Sequence, residues 1–175
     1  SRECQSSLRP DRRRKPSATM THLKYVSHTV VCQEVPDEIS LVINIGGCPH
    51  HCAGCHSSYL AEDVGDPLLD NLDDLLTKYG HMVTCVCYMG GDHNLDELYT
   101  ALYHTKALGF KTCLYSGRSD IDELDMVLPL LDYIKIGPYI EERGGLSSKI
   151  TNQVMYRHKN GVLFNITDRF WKEMA

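Results

Sequence analysis

The sequence predicts an α/β protein built on a sheet of mainly parallel strands. Three observations predict it. Apolar, β-branched runs alternate with leucine stripes of helical period, the order that right-handed strand–helix–strand crossovers need. Four of the apolar runs end in a small-residue loop: Gly46-Gly47, Gly90-Gly91-Asp92, Ser116-Gly117 and Gly137-Pro138. The chain has 175 residues, 42% of them hydrophobic, enough for one buried core and short for two.

The elements follow in order. Leu23–Glu34 is β-rich and lacks a helical period, so it is extended, and Pro36-Asp37-Glu38 turns the chain. Ile39–Ile45 is a near-continuous apolar run that ends at Gly46-Gly47, as a strand buried on both faces requires. Leu72, Leu75 and Leu76 make a helical stripe within Asp70–Tyr79, ended by Gly80. Met82–Tyr88 is a second buried strand. Asn94 caps a helix through Leu95, Leu98, Ala101, Leu102 and Leu108, and Gly109 ends it. Phe110–Tyr115 is a third strand. Asp120 caps a helical segment over Ile121–Leu131, broken near Pro129. Tyr133–Ile136 is a fourth strand, and the remainder is less regular, with a short strand at Val162–Ile166. In a parallel sheet the C-terminal strand ends share one rim, where ligands bind. The four small-residue loops are therefore expected to converge on one pocket.

Charge divides the chain unevenly. Residues 1–19 carry six basic side chains against Glu3 and Asp11, a net +4; the whole chain is −5, so residues 20–175 carry −9. An acidic body argues against nucleic-acid binding through a basic face. Residues 1–19 hold almost nothing apolar and read as a disordered basic leader or a remnant of expression, with 20–175 as a single domain. No apolar run approaches the roughly 20 residues that span a bilayer, so no membrane partner is expected. Without an apolar signal segment the expected location is cytoplasmic, and the eight cysteines are then reduced thiols rather than disulfides.

Three of those cysteines, Cys48, Cys52 and Cys55, stand at C-x3-C-x2-C spacing in a loop that directly follows the first buried strand. Such a cluster in a reduced compartment points to a metal. Three thiolates plus His51 or His56 could close a zinc tetrahedron. A closed iron–sulfur cluster wants a fourth cysteine, whereas an open one needs only these three. Cys85 and Cys87 share one face of a strand, and Cys32 and Cys113 lie in other strands. These four could form a second metal site, but free cysteine is among the most buried residue types, and a core role is expected. The acidic run Asp70–Asp74 reads as a solvated helix face.

The cysteine loop after the first strand, with Gly90-Gly91-Asp92 after the second, resembles the radical S-adenosylmethionine enzymes. Gly54, where most members have an aromatic residue, is similar to the activating proteins of anaerobic (class III) ribonucleoside-triphosphate reductase. Leu114-Tyr115-Ser116-Gly117, Gly137-Pro138-Tyr139-Ile140-Glu141-Glu142 and Thr151-Asn152-Gln153 resemble their motifs in the same order. Two positions depart: His56 stands where the family usually has Tyr, and His93 where Pro is common.

The resemblance implies an open, partial radical S-adenosylmethionine-type β/α barrel. It implies that Cys48, Cys52 and Cys55 hold a 4Fe–4S cluster whose remaining iron takes S-adenosylmethionine. Gly54 and His56 would lie beside the cluster and touch that ligand. Gly90 and Gly91 would let backbone approach its methionine end, since no Cβ intervenes. Asp92 would accept from its ammonium or cap a turn, and Ser116 would contact ribose or carboxylate or serve as a turn hydroxyl. Asn152 and Gln153 would order the C-terminal segment. The implied activity is removal of a glycine hydrogen from the reductase by a 5′-deoxyadenosyl radical, with reduced flavodoxin or ferredoxin as electron donor. Activation of another glycyl-radical enzyme and a non-catalytic zinc or iron–sulfur module are the alternatives.

Overall fold

The computed structural model describes residues 22–47 and 65–171. Its elements are β1 (Lys24–Cys32), β2 (Ile39–Ile45), β3 (Asp66–Pro67), α1 (Leu68–Tyr79), β4 (Cys85–Met89), α2 (Leu95–Ala107), β5 (Lys111–Tyr115), β6 (Tyr133–Ile136), β7 (Val154–Lys159) and β8 (Val162–Asn165). All eight strands form one sheet in the order β3-β1-β2-β4-β5-β6-β7-β8. The sheet is open, with β3 at one edge and β8 at the other.

The fold is mixed α/β, and the expectation of mainly parallel strands is corrected. β2, β4, β5 and β6 run parallel as a central block. The other four pairings are antiparallel. Short connections enforce two of these, β1–β2 and β7–β8, because a few residues can reverse a chain but cannot cross a sheet face. Residues 33–38 return β1 onto β2, with Gln33 and Asp37 at φ 69° and 67°. Asn160-Gly161, at φ 52° and 76°, joins β7 to β8 as a tight hairpin turn. Asn-Gly is the strongest short hairpin signal, and it marks β7, which the sequence reading left irregular.

The helices follow their patterns. Leu68, Leu72, Leu75 and Leu76 are the buried stripe of α1, while Asp70, Asp73 and Asp74 face solvent. The Asn94 side chain accepts from the amide of Glu97 at 3.2 Å and starts α2. The Glu97 carboxylate accepts from the amide of Leu23 at 2.6 Å, tying α2 to the start of β1. The helical segment expected over Ile121–Leu131 is instead two 3-10 turns, Ile121–Leu124 and Leu128–Leu130. Asp120 caps the first by accepting from the amide of Asp122 at 2.9 Å. Pro129 lies in the second, where its ring denies an α-helix the amide it needs.

The two faces of the sheet have different cores. Under the helices, Leu41, Ile43, Val86, Tyr88, Leu114 and Ile134 pack against the leucines of α1 and α2. Tyr88 is fully buried. Thr105 donates its hydroxyl hydrogen to Ala101 O, so the Tyr88 hydroxyl donates to Thr105 Oγ1 at 2.7 Å. The opposite face gathers Val42, Cys85, Cys87, Cys113, Tyr133 and Met155. These three cysteines are core residues, whereas Cys32 is exposed near the β1–β2 turn, which corrects its expected burial.

Candidate functional site

Because β2, β4, β5 and β6 are parallel, their C-terminal ends share one rim. Gly47, Gly90, Ser116 and Gly137 all follow those ends. Gly90 and Gly91 have φ of 94° and 99°, a region that excludes most side chains. A Cβ on Gly90 would come no closer than 3.6 Å to its neighbours. Conformation, then, demands glycine there, and a Cβ would only touch Ile45 at ordinary contact distance.

Asp92 and Arg118 hold the rim together. Asp92 is only 2% exposed. Its Oδ2 accepts from the Ser116 hydroxyl at 2.8 Å and from Arg118 Nε at 3.0 Å. Arg118 Nη2 donates to the Asp92 carbonyl at 2.8 Å, and Nη1 to Glu123 at 3.2 Å. The Arg118 amide donates to Ser116 Oγ at 3.1 Å, so Ser116 both donates and accepts within the rim. The Arg118 carbonyl accepts from the amide of Gly137 at 2.7 Å. One arginine thus joins the ends of β4, β5 and β6. Desolvation opposes its charge, but the bonds to Asp92 and Glu123 outweigh that and raise its pKa above the ordinary value.

Beyond β6 the chain closes a loop on itself. Gly137 has φ 102°, and a Cβ there would lie 3.1 Å from both the Asn152 carbonyl oxygen and the Gln153 Cα. Asn152 Nδ2 donates to the Pro138 carbonyl at 3.0 Å. Thr151 Oγ1 donates to the Gly144 carbonyl at 3.1 Å and accepts from the amide of Gln153 at 3.0 Å. The motifs Gly137-Pro138 and Thr151-Asn152-Gln153 are therefore the two ends of one clasp, and they order the segment between them.

Two rim residues escaped the sequence reading. Arg118 was visible only as part of a turn. Lys135 is buried on β6, donates to the Gly137 carbonyl at 3.1 Å and lies 5.7 Å from the centre of the Tyr115 ring. Its signal was a lysine inside the apolar run Tyr133–Ile136, since lysine is almost never buried without a partner. On the same face, burial raises the pKa of Cys85 and Cys113, so these thiols stay protonated and unreactive.

The structure brings Gly90, Gly91, Asp92 and Ser116 together at one rim. Cys48, Cys52, Gly54, Cys55 and His56 lie outside the described residues, which break off at Gly47 on this rim. Among the described residues no cluster of three His, Cys, Asp or Glu side chains is placed to hold a metal, and no helix is long and apolar enough to cross a membrane. Comparisons with protein-family models, curated proteins and solved structures found no match.

Proposed function

We propose that the chain is a glycyl-radical activating enzyme of the radical S-adenosylmethionine type, with the open sheet as part of an incomplete β/α barrel. Position supports this reading: the C-x3-C-x2-C loop begins one residue after Gly47, on the rim where Gly90-Gly91-Asp92, Ser116 and Gly137 converge. The donor set fits the cofactors. Cys48, Cys52 and Cys55 would hold three irons of a 4Fe–4S cluster and leave one for a ligand, and the lack of side chains at Gly90 and Gly91 would let that ligand approach backbone. When bound, the reduced cluster would supply the electron that cleaves S-adenosylmethionine to methionine and a 5′-deoxyadenosyl radical.

The chain's own residues do the rest. Gly90 and Gly91 admit the ligand, and Asp92, Ser116 and Arg118 fix the loops that meet it. Lys135 places a cation beside Gly137, suited to a carboxylate. Val42, Met155 and the protonated thiols make the sheet face below apolar, which keeps water from a reactive species. Gly54 and His56 would line the cluster side. The hydrogen would come from a glycine of anaerobic ribonucleoside-triphosphate reductase, with reduced flavodoxin or ferredoxin supplying the electron.

Anaerobic reconstitution with iron and sulfide tests this, followed by electron paramagnetic resonance of the dithionite-reduced protein. The expected result is a cluster signal that changes on adding S-adenosylmethionine and is lost in Cys48→Ala, Cys52→Ala and Cys55→Ala. A signal indifferent to S-adenosylmethionine, or zinc without sulfide, overturns the reading in favour of a non-catalytic metal module. A radical formed on another glycyl-radical enzyme but not on the reductase would reassign the partner.

A further inference from the structure

One polar atom in the clasp lacks a partner. Asn152 Oδ1 is buried and accepts no hydrogen bond. A buried acceptor left unpaired costs roughly 1–3 kcal/mol, so a native structure that keeps one needs a reason. An exchanged amide is not that reason. Asn152 Nδ2 donates to the Pro138 carbonyl at 3.0 Å, and turning the amide over would set two oxygens against each other. The orientation of the acceptor is therefore fixed by the bond at its other end.

The surroundings are built to hold this side chain still. Gly137 has no Cβ because Asn152 and Gln153 pack against it. Thr151 ties both its hydroxyl and the following amide. The clasp is continuous with the rim, since the Gly137 amide donates to Arg118 and Arg118 holds Asp92. The acceptor is thus held rigid and tied by bonds to the rim, and an unpaired rigid acceptor suits a ligand donor.

We propose that Asn152 Oδ1 accepts a hydrogen bond from S-adenosylmethionine, making Asn152 a ligand-binding residue of this rim. The proposal rests on the function proposed above. The group it meets is an N–H or O–H donor of that ligand: the methionine ammonium, a ribose hydroxyl or the adenine amino group. Gln153, whose amide already donates to Thr151, supports the clasp rather than the ligand.

The test is equilibrium dialysis of S-adenosylmethionine with the reconstituted protein, wild type against Asn152→Ala and Asn152→Leu, with thermal melts of each. Leucine keeps the number of side-chain heavy atoms and removes the orphaned acceptor but leaves the Pro138 carbonyl unpaired, so Asn152→Leu should melt somewhat below wild type while staying folded. Both variants should bind S-adenosylmethionine roughly five- to tenfold more weakly, the cost of one hydrogen bond. Analogues that each lack one donor identify the group: for one of them, wild type and variants should bind equally. Equal affinity of wild type and both variants for S-adenosylmethionine itself overturns the inference. A wild type that binds no S-adenosylmethionine instead overturns the proposed function.

Discussion

Two carboxylates are buried at opposite ends of the parallel strands, and they do different things. Glu38 is 5% exposed and Asp92 is 2% exposed. Glu38 sits at the N-terminal ends, where it accepts from Lys111 Nζ at 2.5 Å, from the Tyr133 hydroxyl at 3.3 Å and from Thr84. Asp92 sits at the C-terminal ends with Arg118 and Ser116. Both pairs join a cation to a carboxylate and link several strands. What differs is the backbone around them. The Asp92 end carries Gly90, Gly91 and Gly137 at positive φ directly after the strand ends, and an orphaned acceptor at Asn152. At the Glu38 end the carboxylate is surrounded by the side chains of Lys111, Thr84 and Tyr133. A buried charge alone therefore does not mark a site; a buried charge beside consecutive positive-φ glycines at the strand ends is the stronger signal.

The comparison breaks or holds on a pair of substitutions. Breaking a buried ion pair by removing one partner costs about 3 kcal/mol. Asp92→Ala should lose stability of this order in urea unfolding, and Glu38→Ala less, because Lys111 is half exposed and stays solvated when its partner goes. They should part in ligand binding. Folded Glu38→Ala should bind S-adenosylmethionine within about twofold of wild type, because its neighbours are remote from the rim, whereas Asp92→Ala should lose more than about tenfold as three loops come loose. Equal binding by the two variants would erase the distinction between the ends.

A smaller effect sharpens the role of the clasp. Gly137 and Gly109 have similar positive φ, 102° and 92°, but a Cβ at Gly109 would meet nothing within 4 Å. Gly109→Ala should cost about 1 kcal/mol from conformation alone. Gly137→Ala should cost about 1–2 kcal/mol more, because Asn152 and Gln153 must also move. Equal losses in chemical unfolding would mean the clasp yields freely and does not position Asn152.

Much of this was legible in the sequence, and the failures have physical causes. β2 at Ile39–Ile45 and β6 at Tyr133–Ile136 match their expected bounds, since continuous apolar runs between turn residues have few other solutions. The shared rim followed from strand order alone. Arg118 was hidden because its role depends on Asp92, 26 residues earlier, and single-sequence patterns do not report such pairs. Strand direction at the flanks depended on loop lengths and on Asn160-Gly161. Gly80 ended α1 as expected, but with φ −60°. Its glycine serves close packing instead: a Cβ would lie 2.8 Å from the Phe110 ring.

The smallest expected effect is at the Glu38 end, and it is alkaline. Burial first, and then the charge of Glu38, push the Tyr133 phenol up to about 12 from an ordinary 10.0. The folded state therefore keeps a proton that the unfolded state has lost over this window, and stability falls as pH rises from about 10 toward 12. Below pH 10 both states hold the proton and the phenol contributes no slope. Tyr133→Phe removes one hydrogen bond at 3.3 Å, so at pH 7 it should cost no more than about 1 kcal/mol. Above pH 10 its stability should fall less steeply than that of wild type, by the share of one proton. Binding of S-adenosylmethionine at pH 7 should be unchanged, since Tyr133 belongs to the Glu38 end. An unaltered alkaline slope would show that burial and Glu38 do not hold the Tyr133 proton at this end.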